Sequence, residues 1–304
     1  METTKLKFRL IYRPFLITLS LFVGIYTLLN WLLCVKLSVQ LHEEITDILL
    51  PAFILGLLVY FLIRPRLDVL IFKNSRQYSN YLLAFFLALF IPVFTAQKSI
   101  SKITGGLLEI QDISEIDKDN PAKYYRINDF SVDKETVGCN IKFIERNRRR
   151  DLFYGEISMT IFVVAPMYSS TTEKEESRVM YCKSYDRDID YNQSEESKQR
   201  ECERFEKDAL SQFVHNDKKP VIYFERISET SSDYAYVYKA VKELGGESSD
   251  YIFLSPQTKP FDKRYNNWVL AFGISLLVVL LVTWFMISIK DLDKSKVESY
   301  INRK

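Results

Sequence analysis

Residues 15–35 read FLITLSLFVGIYTLLNWLLCV, 21 positions without a charged side chain. At 1.5 Å of rise per residue a helix of this length is roughly 31 Å long, about the thickness of a bilayer's hydrocarbon core. The run is longer than the apolar core of a signal peptide and ends in Leu32-Leu33-Cys34-Val35-Lys36 rather than a small-residue cleavage site, so it is expected to remain as a signal anchor. Residues 268–289, WVLAFGISLLVVLLVTWFMISI, form a second charge-free run of 22, roughly 33 Å as a helix. Between them, residues 48–63 and 81–96 are 16 each, roughly 24 Å, and contain Pro51 and Pro92. These two are expected to span as a tight pair. Arg64 and Arg66 can snorkel to the interface, and a proline near a helix end costs little because its missing donor has no partner there.

The chain as a whole has 304 residues, 47% apolar and 26% charged, with a formal charge of +2. That average hides two materials: residues 98–266 hold 27 Lys/Arg and 31 Asp/Glu, and all other positions only 14 and 8. A single soluble core is excluded. So is a nucleic-acid binder, which needs a strong positive excess to displace counterions. Four cysteines do not make a disulfide scaffold, and His42 and His215 cannot furnish a site that needs several histidines. No cofactor or metal is expected.

Bases orient the spans. Lys5, Lys7, Arg9 and Arg13 precede the first; Arg64, Arg66, Lys73 and Arg76 follow the second; Lys290, Lys294, Lys296, Arg303 and Lys304 follow the fourth. The loop at 37–47 has no Lys or Arg and carries Glu43, Glu44 and Asp47. The positive-inside rule then places both termini in the cytoplasm and residues 98–266 outside it, with Trp31 and Trp268 near the outer interface and Trp284 near the inner one. The expected division is a tail and three helices over 1–97, an extracytoplasmic domain over 98–266, and a fourth helix with a cytoplasmic tail over 267–304. Within the four runs the conspicuous polar residues are Thr18, Ser20, Thr27, Asn30, Ser275 and Thr283, with no Asp, Glu, Lys, Arg or His, which argues against a transporter or pump. Asn30 is expected to hydrogen-bond between helices.

Residues 98–266 are enough for one domain with its own core. Val137, Cys139, Ile141 and Phe143 alternate with other residues, and so do Ile157, Met159, Ile161 and Val163 after a polar stretch, which predicts a β-hairpin. Residues 124–132, 178–185, 221–227 and 251–254 are further strand candidates. One helix is predicted from a cap at Asn192, with Cys202, Phe205, Ala209 and Phe213 at near-helical spacing. A second starts near Ser232, carries Tyr234, Val237, Val241 and Leu244 on one face, and stops at Gly245-Gly246. The fold class expected is a membrane protein with four transmembrane helices and one α+β domain between the third and fourth.

Arg146, Arg148, Arg149 and Arg150 make the densest positive cluster, at the tip of the predicted hairpin. They could meet anionic lipid headgroups or an acidic partner. Flanking Glu145 and Asp151 and the domain's slightly acidic balance favour the plainer reading of a solvated turn. Asp186, Asp188, Asp190 and Asn192 alternate like the start of a calcium loop, but the turn glycine and the twelfth-position acid are missing, so exposed acids on a strand or loop are the better reading. If one disulfide forms among Cys139, Cys182 and Cys202, Cys182 with Cys202 is the expected pair, three small buried thiols being the alternative. Nothing in the sequence brings His215 to a cysteine nucleophile. Asn192-Gln193-Ser194 fits a glycosylation acceptor, which matters only in a eukaryotic secretory host.

At the end of the third run the chain reads Ile103-Thr104-Gly105-Gly106, then Ile113 through Asp117, Ala122-Lys123-Tyr124-Tyr125, Val132-Asp133-Lys134 and Gly138, and later Ile161-Phe162-Val163-Val164-Ala165-Pro166. In this order, between three apolar runs and a fourth, it resembles the long N-terminal region that precedes the protease core in some rhomboid-family proteins of Bacteroidetes. The resemblance covers nearly the whole chain but rests on short apolar and tyrosine-rich strings. It implies a bacterial inner-membrane location with a periplasmic domain. The family's catalytic serine does not carry over: the nearest string, Gly273-Ile274-Ser275-Leu276, lacks the second glycine, and no run holds a histidine. The chain ends at Lys304, about where the protease core would begin, so the expectation is a stand-alone relative or a chain cut before its catalytic part. The function expected is non-catalytic recognition or scaffolding of a membrane or periplasmic protein partner. The alternative is the substrate-recognition part of an intramembrane protease, and a weaker one is an oligomeric channel or transporter subunit.

Overall fold

The structure is a computed structural model that describes residues 2–36, 41–117, 122–146, 156–169, 178–190, 194–215, 220–245 and 250–302. Its helices are α1 (Thr3–Leu33), α2 (Ile45–Leu67), α3 (Ser75–Ile103), α4 (Glu195–His215), α5 (Tyr234–Glu243), α6 (Asn266–Ser288) and α7 (Lys294–Asn302). The strands are β1 (Leu107–Asp112), β2 (Tyr124–Asp129), β3 (Ser131–Val132), β4 (Gly138–Arg146), β5 (Glu156–Tyr168), β6 (Val179–Asp190), β7 (Tyr223–Ile227) and β8 (Ile252–Gln257). The chain divides into two compact units, Met1–Thr104 with Asp262–Lys304, and Gly105–Phe261.

In the helical unit α1, α2, α3 and the stretch Phe261–Ser288 that contains α6 are long and apolar enough to cross a membrane. The second and third are longer than the 16-residue runs predicted. α3 starts where the Asn74 side chain accepts from the Gln77 N–H at 2.8 Å, passes through Pro92 and continues to Ile103. Helices in apolar surroundings tolerate an internal proline because neighbouring groups re-satisfy the freed backbone. α3 packs against α1, α2 and α6. Its Phe85 meets Phe15 edge to face at 5.2 Å, and Leu55, Leu89 and Ile287 are buried with them. The segment after α6 is no plain tail. Leu292 bridges Leu70, the Asp293 N–H donates to the Val69 carbonyl at 2.9 Å, and α7 turns back so that Val297 is buried in the same core.

The second unit is one mixed sheet in the order β1-β2-β7-β8-β6-β5, with β4 and β3 both pairing the remaining edge of β5. β1 with β2 and β6 with β8 are parallel; the other pairs are antiparallel. The predicted hairpin is present as β4 and β5, in register from Gly138 with Val164 to Arg146 with Glu156. β1 was not foreseen, because Leu107–Asp112 is a short edge strand with little alternation in burial. Period two sends the odd residues of β5, among them Met159, Ile161 and Val163, into one core with Phe205, Ala209 and Phe213 of α4. The even residues Phe162 and Val164 enter a second core with Val237, Ala240 and Val241 of α5. The two helices therefore cover opposite faces, instead of gathering on one side as an α+β arrangement would have them. α4 begins at Glu195, and the Ser194 hydroxyl before it accepts from the Ser197 N–H at 3.3 Å. Asn192 lies outside the described residues.

Candidate functional site

β4 borders the sheet. Its inner side is laddered to β5 over nine residue pairs, and among the described residues it makes no other backbone hydrogen bond. The half near Gly138 is roofed by α5, which approaches so closely that a β-carbon on Gly138 would come within 2.1 Å of the Ala240 carbonyl oxygen. Lys142 is drawn to the same helix, where its ammonium meets Asp233 at 2.7 Å and lies 5.3 Å from the Tyr236 ring centre. Beyond Lys142 the roof ends. Phe143 is 54% exposed and Ile144 is 45% exposed, one on each face of the strand.

On the α4 face, Phe143 opens onto a groove of about 460 Å³. Met159, paired opposite Phe143 on β5, and Ile189 on β6 form its apolar floor. The first turns of α4 extend past the core and supply the other wall with Glu195, Lys198, Gln199 and Cys202. Glu195 and Lys198 pair at 2.8 Å on the rim, and the Cys202 sulfur lies 3.2 Å from that of Met159. Farther along α4, Arg187 of β6 is held by Asp208 at 3.0 Å and sits over Phe205, its guanidinium carbon 4.4 Å from the ring centre. An open strand edge beside an apolar slot offers main-chain hydrogen bonds for an extended segment and a pocket for alternate side chains.

The arginines foreseen at the hairpin tip follow this edge in sequence. Arg146 is the last residue of β4, whereas Arg148, Arg149 and Arg150 lie outside the described residues. The strand foreseen at 124–132 forms as β2 and, after Phe130, β3. Tyr124 and Tyr125 are fully buried on β2, between β1 and β7, and Tyr124 packs edge to face on Tyr223 and Phe261. Cys182 and Cys202 are not brought together, because they belong to opposite faces of the sheet: Cys182 is buried with α5 and Cys202 projects from α4. Burial holds the Cys182 thiol well above its usual range. Burial and, next, the Glu206 carboxylate 3.2 Å away push Cys139 up to about 12. His215 places Nδ1 3.2 Å from the Ser211 carbonyl oxygen on its own helix. Asp186 and Asp188 lie on β6, where Asp186 accepts from the Thr160 hydroxyl at 2.7 Å; Asp190 ends the strand.

The helical unit holds a polar cluster that the apolar runs concealed. Gln97 is 3% exposed; it donates to Thr27 Oγ1 at 3.1 Å and accepts from Asn30 at 2.5 Å, so Asn30 does bond between helices. One residue on, Lys98 bridges Asp47 at 2.8 Å and Glu43 at 3.7 Å on α2 and the turn before it. The third run was read as ending at Ala96, one residue short of this group, and helical continuity past Pro92 was the signal that could have revealed it. No protein-family model, curated protein or solved structure matches the chain.

Proposed function

We propose that the four long helices cross a bacterial inner membrane with both termini in the cytoplasm, and that the periplasmic domain recognises or scaffolds an envelope protein without catalysing a reaction. An extended segment of that protein adds as a strand to the open edge of β4 and sets an apolar side chain into the groove beside Phe143. The observation that carries this reading is the combination of a sheet edge that pairs with no other strand among the described residues, two large exposed apolar residues on it, and an apolar slot alongside. Monomeric proteins usually blunt such edges because they template pairing with other chains. Support for the topology comes from the basic residues at one set of helix ends and the acids at 43–47.

A photo-crosslinking residue placed at Phe143 or Ile144 of the full chain in native membranes should give discrete adducts. The same residue at Leu108, exposed on the opposite edge strand, should give none. The double substitution Phe143→Asp with Ile144→Asp should abolish copurification of the adduct's partner. Adducts of equal yield at all three sites, or copurification unaffected by the double substitution, would sink the proposal. A homodimeric adduct would replace the envelope partner with a second copy of the chain. The rhomboid resemblance supports a second reading, in which the same edge hands substrates to a protease core. A rhomboid protease among the adducts, or a longer native chain, would favour it.

A further inference from the structure

A second groove, of about 620 Å³, runs between α1 and α2. Its walls are two stripes at four-residue spacing, which places successive members on one helix face. On α1 the stripe is Arg9, Arg13, Ile17, Leu21 and Ile25; on α2 it is Leu58, Leu62 and Arg66. All three arginines stand at one end of the groove, and the lining beyond them is apolar except for Thr18, whose hydroxyl donates to the Pro14 carbonyl of its own helix at 2.9 Å. From Arg13 to Ile25 the groove descends about 18 Å at the helical rise, close to the depth of one leaflet.

The charged end is unbalanced. Among the described residues none of the three guanidinium groups is in an ion pair, although Lys98, Lys142, Arg126, Arg178 and Arg187 elsewhere all are. Arg66 Nη1 donates to the Leu62 carbonyl, and its Nε is shielded from solvent without a hydrogen-bond acceptor among the described residues. Guanidinium forks match phosphate oxygens, and basic pockets between helices on the cytoplasmic side are suited to anionic headgroups. We propose that this groove seats an anionic phospholipid, with its phosphate among Arg9, Arg13 and Arg66 and an acyl chain along Ile17, Leu21, Leu58 and Leu62. The proposal rests on the membrane reading above, which places this end of α1 and α2 at the cytoplasmic leaflet.

The test uses the full chain, delipidated in mild detergent, with native mass spectrometry during addition of dioleoyl phosphatidylglycerol or dioleoyl phosphatidylcholine. One tight phosphatidylglycerol is expected, preferred over phosphatidylcholine. At roughly fivefold per arginine, R9Q/R13Q/R66Q should weaken it on the order of a hundredfold. The charge-matched control K73Q/R76Q/K294Q should leave it unchanged. Leu21→Trp, which fills the aliphatic part and keeps every arginine, should weaken the lipid while helical circular dichroism stays at the wild-type level. Retained preference in the arginine variant, or equal loss in the control, would overturn the site. Displacement of the lipid by millimolar inorganic phosphate would show a free-phosphate site and overturn the acyl groove. Release of the protein from membranes by alkaline carbonate would refute the membrane reading itself, a result separate from all of these.

Discussion

Among the described glycines, Gly138 is the one where an added β-carbon would meet its surroundings most closely, and the cost can be argued atom by atom. An alanine there would drive its methyl group to 2.1 Å from a backbone oxygen of α5, an atom that cannot rotate away. Gly138→Ala is therefore expected to lower domain stability by about 1–3 kcal/mol, the range for overpacking. Gly106→Ala, where a β-carbon meets nothing within 4 Å, should be near neutral; thermal melts of both variants check this. The Cys139 thiol is a second residue-scale case. Its value in the folded protein, about 12, lies above the ordinary 9.0 because burial and then Glu206 disfavour the thiolate. The unfolded chain loses this proton at a lower pH than the folded one, so the contribution to stability is full below about pH 9 and declines as pH rises towards 12. Glu206→Gln should lower the thiol's value and speed alkylation of Cys139 in the folded protein at pH 9, read by mass spectrometry. An unchanged rate would refute the role given to Glu206.

At the scale of elements, α3 organises the helical unit because it carries both its apolar spine and its polar end. Lys98 extends from the last turns of α3 to Asp47 on α2, whose side chain is only 13% exposed. Removing Lys98 leaves the shielded Asp47 without its counterion and removing Asp47 leaves Lys98 with only the more distant Glu43, whereas removing both leaves only the exposed Glu43. Lys98→Met and Asp47→Leu should each destabilise the detergent-solubilised protein, on the order of 1–3 kcal/mol, and the double variant should recover part of that loss. Additive losses in the double-mutant cycle would show that the pair is not coupled. Helix α4 shows how one element serves two ends. Its Phe205, Ala209 and Phe213 stripe is anchored in the core, while the turns from Glu195 to Cys202 overhang the sheet and make a groove wall.

For the whole molecule, the prediction is topological. Fusions of alkaline phosphatase at Met1 or Lys304 should be inactive, and proteinase K added to spheroplasts should cut only within the loop at 37–47 and within 98–266. Cleavage in the basic loop at 64–78 would reverse the orientation. Much of this scale was legible in the sequence. A run of apolar residues as long as a bilayer is a local property, and so is alternation along β4 and β5, so the four long helices and the central hairpin could be read directly. Helix ends were less legible, because α3 continues past its apolar run through Gln97 and Lys98, polar residues whose partners on α1, on α2 and in the turn before it are far away in sequence.

The sequence by itself determined the four apolar helices, the asymmetry of charge at their ends and the alternating strands, because each follows from side chains near one another along the chain. Only the tertiary structure decided which face each residue met. Cys182 and Cys202 were separated by the sheet, Tyr124 and Tyr125 were taken into its interior, and Phe143 was left at an edge where the core beneath it ended. It also set α1 beside α2, so that Arg9 and Arg13 share one groove mouth with Arg66. Such contacts join positions tens of residues apart, and strand order and helix packing create them; local spacing does not encode either.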